Sequence, residues 1–321
     1  MTADARSWLS SLRRYSFIID LAICIALLWV IVPANAQAPP QSPLQIDISG
    51  EWAARIHEDW GHRIPGADLG DYTGLPINAA ARQMASSWEA SILALPEVMS
   101  KPHPAQYFMR GPGPNMRIKK VTDPYTQKLI AYTLEGVFGR DDRVIWMDGR
   151  PHPSENAEHT WDGFSTGVVR GNQLTITTTH MKFGFIQRNG VPSSDQVKMT
   201  ETFIRHGDLL TLVSIIDDPV YLEEPFIRTS QWVRTSSLLP DARFTFEVVE
   251  EDADQQRGHV PAYPLGTKQD EFARKYGIPF VATQGGKATL YPEYELELEK
   301  MMRDSRDYPP ASKHRNRDAD K

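Results

Sequence analysis

Cysteine is nearly absent from this sequence, whose 321 residues include a single one, Cys24. One cysteine excludes a disulfide scaffold, a C-x-x-C redox centre and a cysteine-built zinc site within one chain. An excess of positive charge is also missing, because 35 Lys and Arg oppose 41 Asp and Glu to give a net charge of −6. A nucleic-acid-binding protein needs a basic face for the phosphate backbone, so this composition argues against that class.

The histidines lack the spacing of a helical zinc site. None of the nine forms an H-x-x-x-H or H-E-x-x-H motif. We therefore predict no metal site and no cofactor. A site assembled from His159, His180 and a carboxylate on distant strands stays open, because such convergence leaves no trace in sequence spacing.

The first 36 residues have the pattern of a secretory signal peptide. Arginines precede an apolar run at residues 17–32, which is followed by Ala34-Asn35-Ala36. The uninterrupted apolar part, residues 21–32, is shorter than the roughly 20 residues of a membrane span. We predict a periplasmic or secreted protein without a stable membrane span after cleavage; an uncleaved anchor is the alternative.

The composition divides the mature chain into four segments. Residues 37–114 are predicted to form a Pro- and Gln-rich linker and an irregular, partly helical segment. Residues 115–250 contain short β-branched and aromatic runs separated by turn signals, which predict an antiparallel β-barrel or a strongly curved sheet. Residues 251–302 are predicted to be an extension with short helices, and residues 303–321 a disordered tail. The predicted fold class is therefore mainly β, with peripheral N- and C-terminal helices.

Alternation along two predicted strands places polar groups toward the barrel interior. In residues 197–205, Glu201 shares a face with apolar side chains, and Arg205, two positions further along that face, is its expected partner. In residues 174–180, His180 shares a face with apolar side chains by the same parity. A buried carboxylate must be paired or protonated. The pattern fits either a structural Glu–Arg pair or a polar anchor or general base in a cavity.

Two further patterns are candidates for a site. Trp146 and Trp161 flank a Pro- and Gly-rich loop, and aromatic side chains often line ligand pockets. Residues 163–167 match G-x-S-x-G, but a strand rather than a helix is predicted to follow Ser165. A glycine-flanked strand is therefore favoured over a hydrolase nucleophile.

Several motifs together resemble a large family of exported bacterial proteins. They are IWMDGRPHP at residues 145–153, HTWDGFSTG at 159–167, TETFIR at 200–205 and DDP at 217–219. The resemblance covers roughly residues 48–295. It implies export and a lipocalin-like β-barrel, and it implies no chemistry.

Three functions fit these observations. The first is binding of an apolar or aromatic small molecule in a barrel cavity, with Glu201 and Arg205 as anchors and Trp146, Trp161 and His159 around it. The second is an isomerase or hydrolase that uses Glu201 and His180 as acid and base. The third is a structural or partner-binding envelope protein, which predicts a filled barrel and an exposed apolar patch.

Overall fold

The computed structural model describes residues 46–56, 59, 61–88, 103–110, 115–135, 143–237 and 269–304. The predicted signal peptide, the first part of the predicted C-terminal extension and the tail beyond residue 304 lie outside these ranges.

Nine strands form a closed barrel in the spatial order β1-β11-β10-β9-β6-β5-β4-β3-β2, and β2 pairs with β1 to close it. The barrel strands are β1 (Gly50–Arg55), β2 (Met116–Thr122), β3 (Leu129–Glu135), β4 (Arg143–Trp146), β5 (Phe164–Arg170), β6 (Gln173–Thr179), β9 (Lys198–His206), β10 (Leu209–Asp217) and β11 (Phe226–Thr235). A separate hairpin consists of β7 (Gly184–Phe185) and β8 (Pro192–Ser193). The predicted mainly-β, lipocalin-like class is confirmed.

The barrel begins earlier in the chain than the sequence predicts. Strand β1 comes from the segment predicted to be linker and irregular chain, and it pairs with both β11 and β2. Only Trp52 of its six residues is buried. The strand therefore lacks the repeated apolar positions by which an alternating strand is recognised in a sequence.

Two of the hairpins depend on glycine. Residues 171–172 join β5 to β6, and residues 207–208 join β9 to β10. Gly171 and Gly207, the first residue of each loop, have φ of +60°. A two-residue type II′ hairpin requires a glycine at this position.

Strands β4 and β5 are parallel, whereas every other adjacent pair in the barrel is antiparallel. Parallel neighbours need a crossover connection rather than a tight turn. Residues 147–163 form this connection, which we call the crossover segment. Its backbone is fixed at Thr160, whose N–H donates to His180 O at 2.9 Å and whose carbonyl accepts from Lys182 N–H at 2.9 Å.

The barrel interior is filled by a cluster of apolar side chains, the barrel core, none more than 7% exposed. Its members are Ile46, Ile48, Trp52, Met116, Ile118, Tyr132, Leu134, Ile145, Leu174, Ile176, Phe203, Leu210, Leu212 and Trp232. Large side chains such as Trp52, Leu174 and Phe203 are 0% exposed. These fully buried side chains therefore fill the layer of the barrel that they occupy.

A second apolar cluster covers one end of the barrel. Met199, Ile216 and Phe226 from the strands pack there with residues of the N-terminal segment and of the β7–β8 hairpin. Helix α1 (Ala79–Ser86) contributes Ala81 and Ala85. Small side chains allow the helix to approach this end closely.

Three helices lie outside the barrel in the described part of the chain. Asn78 caps α1, because its Oδ1 accepts from Ala81 N–H at 3.0 Å. The C-terminal segment contains α2 (Glu271–Tyr276) and α3 (Pro292–Asp304), with 3-10 turns at Phe280–Gln284 and Gly286–Leu290 between them.

We expect Gly167→Ala to destabilise the barrel by about 1–3 kcal/mol, because it overpacks a filled interior. A Cβ at this position would lie 2.5 Å from Met147 Sδ and 3.0 Å from Leu174 Cδ1. Urea unfolding measures the change. Val168→Thr is the control, since Val168 is 55% exposed on the opposite face of the strand. Equal stabilities of the two variants would contradict the packed interior.

Candidate functional site

A buried ion pair lies inside the barrel. Glu201 on β9 is 0% exposed, and Arg143 on β4 donates to its carboxylate through Nη2. The same Nη2 donates to Thr178 Oγ1 at 2.7 Å, and Arg143 Nε donates to Ser165 Oγ at 3.3 Å. Arg143 therefore links strands β4, β5, β6 and β9, and its role is structural.

The predicted pairing of Glu201 with Arg205 is wrong. The two residues are four apart on one strand, which places their Cα atoms about 13 Å apart, with Phe203 between them on the same face. Arg205 lies at the other end of the barrel core. It donates to Gly207 O at 2.8 Å and to Asp47 O, and its guanidinium carbon is 5.7 Å from the Trp52 ring.

Ser165 of the G-x-S-x-G motif is not a nucleophile elbow. It lies within β5, is 1% exposed, and exchanges a hydrogen bond of 2.9 Å with Thr178. No helix follows it, because β5 turns directly into β6. The strand interpretation of this motif is therefore correct.

The expected position of His180 is wrong. Strand β6 ends at Thr179, and His180 has φ of +59°, which breaks the alternation that predicted an inward side chain. Its Nε2 donates to Ser154 O at 2.8 Å in the crossover segment. Glu201 contacts Arg143 instead, so the structure does not bring the predicted acid–base pair together.

The remaining predicted site residues lie along or beside the crossover segment. Trp146 is half-buried under the Arg150 guanidinium, 3.4 Å from the ring centroid. Trp161 has Lys182 Nζ 5.3 Å from its ring, and His159 Nδ1 is 3.0 Å from Met181 O. None of these contacts involves Glu201, which is 0% exposed inside the barrel.

A chain of hydrogen bonds attaches the crossover segment to the outer face of β5 and β6. Because the Ser154 carbonyl only accepts, His180 Nε2 donates to it at 2.8 Å. His180 Nδ1 is hydrogen-bonded to Thr179 Oγ1 at 2.8 Å, and the same hydroxyl is hydrogen-bonded to His152 Nδ1 at 2.8 Å. His152 Nε2 is hydrogen-bonded to Thr166 Oγ1, also at 2.8 Å. Sequence reasoning missed this chain, which joins residues from three separate segments.

A cavity lined by described residues lies outside the barrel. It is a cleft of about 580 Å³ between helix α1 and the C-terminal segment. Ala79 and Arg82 belong to its α1 wall, Gln284, Gly285, Gly286 and Lys287 to the opposite wall, and Glu223 lies between. Ligand pockets commonly have volumes of about 300–1,000 Å³.

The two walls of the cleft are held by hydrogen bonds to neighbouring loops. Gly74 N–H donates to Gly286 O and to Thr289 Oγ1, both at 2.9 Å. On the other wall, Asn78 Nδ2 donates to Val220 O at 2.8 Å. The buried Asp218 carboxylate orders that loop, since it accepts from Val220 N–H at 3.0 Å.

Arg82 supplies the positive charge inside the cleft. Its Nη1 donates to Gln284 Oε1 at a long 3.4 Å, and its guanidinium carbon lies 5.5 Å from the Tyr72 ring centroid. Burial lowers the pKa of Arg82, while Tyr72, Tyr294 and Glu223 oppose this. Lys287 differs, because it pairs with Glu223 at 3.0 Å.

The sequence carries one signal for the cleft, the Gly285-Gly286 dipeptide. Gly286 has φ of +53°, and a Cβ there would lie 3.0 Å from Arg82 Nη2 and 3.1 Å from Leu75 O. A Cβ at Gly285 would lie 2.4 Å from the Tyr294 ring. Without the fold, this dipeptide does not point to Arg82.

Among the described residues, no group of three or more His, Cys, Asp or Glu side chains is placed to hold a metal ion. No helix within the described ranges has the length and apolar character needed to cross a membrane. Comparisons with family models, curated proteins and solved structures find no match to this chain.

We expect Glu201→Leu and Arg143→Met each to cost about 3–5 kcal/mol of unfolding free energy, because each leaves one buried charge unpaired. The double variant should lose less unfolding free energy than the two single variants lose together, since it leaves no buried charge without a partner. Urea unfolding of all three measures the coupling. Asp148→Asn is the control, as its pair with Arg150 is exposed and contributes little. Additive losses would contradict the ion pair.

We expect the free energy of unfolding to decrease as the pH falls below about 6.5, which is the pKa of a histidine in the unfolded chain. Burial, then the charges of His180 and Lys198, lower the pKa of His152. When the pKa of a histidine is lower in the folded state than in the unfolded chain, the neutral histidine favours folding at any pH above its unfolded pKa. This contribution to stability is lost as the pH falls through its folded pKa.

His152→Gln should therefore flatten the stability profile between about pH 8 and about pH 5.5, measured by urea unfolding. His206→Gln, at an exposed position, should leave the profile unchanged. A profile of the His152 variant that parallels the original would show that His152 does not carry this dependence.

Proposed function

We propose that this protein binds a small molecule in the cleft between α1 and the C-terminal segment. The observation that carries the proposal is the cleft itself, about 580 Å³ in volume and formed by two walls held to ordered loops. A closed barrel is compatible with small-molecule binding, but here the barrel serves as the scaffold that positions the cleft.

The packed interior argues for this location over a barrel cavity. The side chains of the barrel core are at most 7% exposed, and the Arg143–Glu201 pair occupies the polar layer beside them. A ligand inside would have to displace close-packed side chains or a buried ion pair. The cleft has a mixed lining, in which Arg82, Gln284 and Glu223 stand beside apolar side chains. This lining favours a ligand with a polar group over the wholly apolar or aromatic one expected from sequence.

We also propose that the protein acts after export, in the periplasm or outside the cell. The N-terminal signal pattern supports this, with the mature chain beginning at Gln37. Membership of the resembled family of exported barrel proteins is part of the same proposal.

A partner-binding envelope protein is the second candidate. The packed barrel core favours it, together with apolar side chains on the C-terminal segment that are at least 36% exposed. They include Ile278, Phe280, Leu290, Tyr291, Leu296 and Met301.

Native mass spectrometry of the protein purified from its periplasm tests the first candidate. We expect a mass that begins at Gln37, plus a small molecule that is lost on denaturation. Ala79→Trp should abolish the bound mass, because Ala79 lines the cleft. Ala80→Trp is the matched control, since Ala80 is the next exposed alanine of the same helix and lies outside the lining.

Binding that survives Ala79→Trp would place the ligand elsewhere. A bare protein in both native and denatured spectra would count against a tightly bound small molecule and favour the envelope role.

A further inference from the structure

The charges around the cleft are unevenly matched. Lys287 Nζ lies within ion-pair distance of two carboxylates, Glu223 at 3.0 Å and Glu224 at 3.6 Å. No described carboxylate lies within ion-pair distance of Arg82, although the charge of Glu223 acts on its pKa from further away. The hydrogen bond from Arg82 to the neutral amide of Gln284 is long, at 3.4 Å. An arginine has five N–H donors, so most of its hydrogen-bonding capacity is left unused by Gln284.

The surroundings of Arg82 make this unmatched charge costly. The side chain is half-buried against the Tyr72 ring, and Gly286 lets the guanidinium lie within the wall, where any Cβ would crowd Nη2. A partly desolvated guanidinium is stabilised most by an oxyanion, such as a carboxylate or a phosphate, with two oxygens that accept parallel hydrogen bonds.

We propose that the ligand of the cleft is a small organic anion whose carboxylate or phosphate group is bound by Arg82. This inference rests on the proposed small-molecule function and names its ligand class. The protein as a whole is acidic, with a net charge of −6, so the anion is held by local contact with Arg82 rather than by long-range attraction.

Three small aromatic ligands of similar shape test whether the negative charge of a ligand is needed for binding. Benzoate and phenyl phosphate carry the two oxyanion groups, and benzamide is the neutral counterpart of benzoate. Each is titrated into the ¹⁵N-labelled mature protein while the amide resonances of Ala79, Gly285, Gly286 and Lys287 are followed. We expect saturable shifts at these amides with at least one anion and weaker binding of benzamide.

Two substitutions remove the unmatched charge in opposite ways. Arg82→Gln deletes it, and Gln284→Glu neutralises it by supplying a carboxylate at the present hydrogen-bonding position. Each should weaken anion binding about tenfold or more, the usual effect of losing a charge-assisted hydrogen bond. Arg274→Gln is the control, because Arg274 is exposed and pairs with Asp270 at 2.8 Å. Since Gln284→Glu retains Arg82, the test does not depend on the folding of a single variant.

The outcomes separate this inference from the proposed function. Benzamide binding equal to benzoate binding, unaffected by either substitution, would leave a small-molecule cleft and overturn the anion assignment. Absence of saturable shifts at the cleft with every probe, or shifts confined to other surfaces, would overturn it as well. Anion binding that is lost in both variants and kept in the control would establish it.

Discussion

The ion pair between Arg143 and Glu201 connects four neighbouring barrel strands through one buried side chain. Arg143 reaches Ser165, Thr178 and Glu201 in turn, so β4, β5, β6 and β9 are joined across the interior as well as through their backbones. A buried charge is tolerated only with its partner in place, which makes the relative position of these strands specific. The apolar core on one side and the end cluster on the other pack against this polar layer.

The parallel pairing of β4 and β5 explains the unusual sequence between them. A parallel neighbour requires a connection that returns along the barrel, and the crossover segment must therefore be attached to the outside of the sheet. His152 and His180 provide that attachment through Thr166, Thr179 and the Ser154 carbonyl. The motif that resembles exported proteins therefore has a structural role, and its histidines are occupied by hydrogen bonds to the barrel and to the segment itself.

The close packing inside the barrel determines where a ligand can bind. Since the side chains of the barrel core are at most 7% exposed and pack against one another, the candidate site lies where helix α1 and the C-terminal segment meet. The end cluster seats α1 through Ala81 and Ala85, and this seating presents Arg82 to the cleft. The position of the site thus depends on the barrel without using its interior.

The sequence by itself determined the mainly-β class, most of the strands with turns between them, and the burial of Glu201, because alternation and turn chemistry are local properties. It also identified Ser165 as a strand residue. The tertiary structure alone decided the partner of Glu201, which comes from a strand 58 residues away. It also decided the position of His180, where one left-handed residue reverses the expected face, and the meeting of Arg82 with Gly286. Contacts between distant segments depend on which strands pair to close the barrel and on the path of the crossover segment. Neither feature is visible in a local sequence pattern.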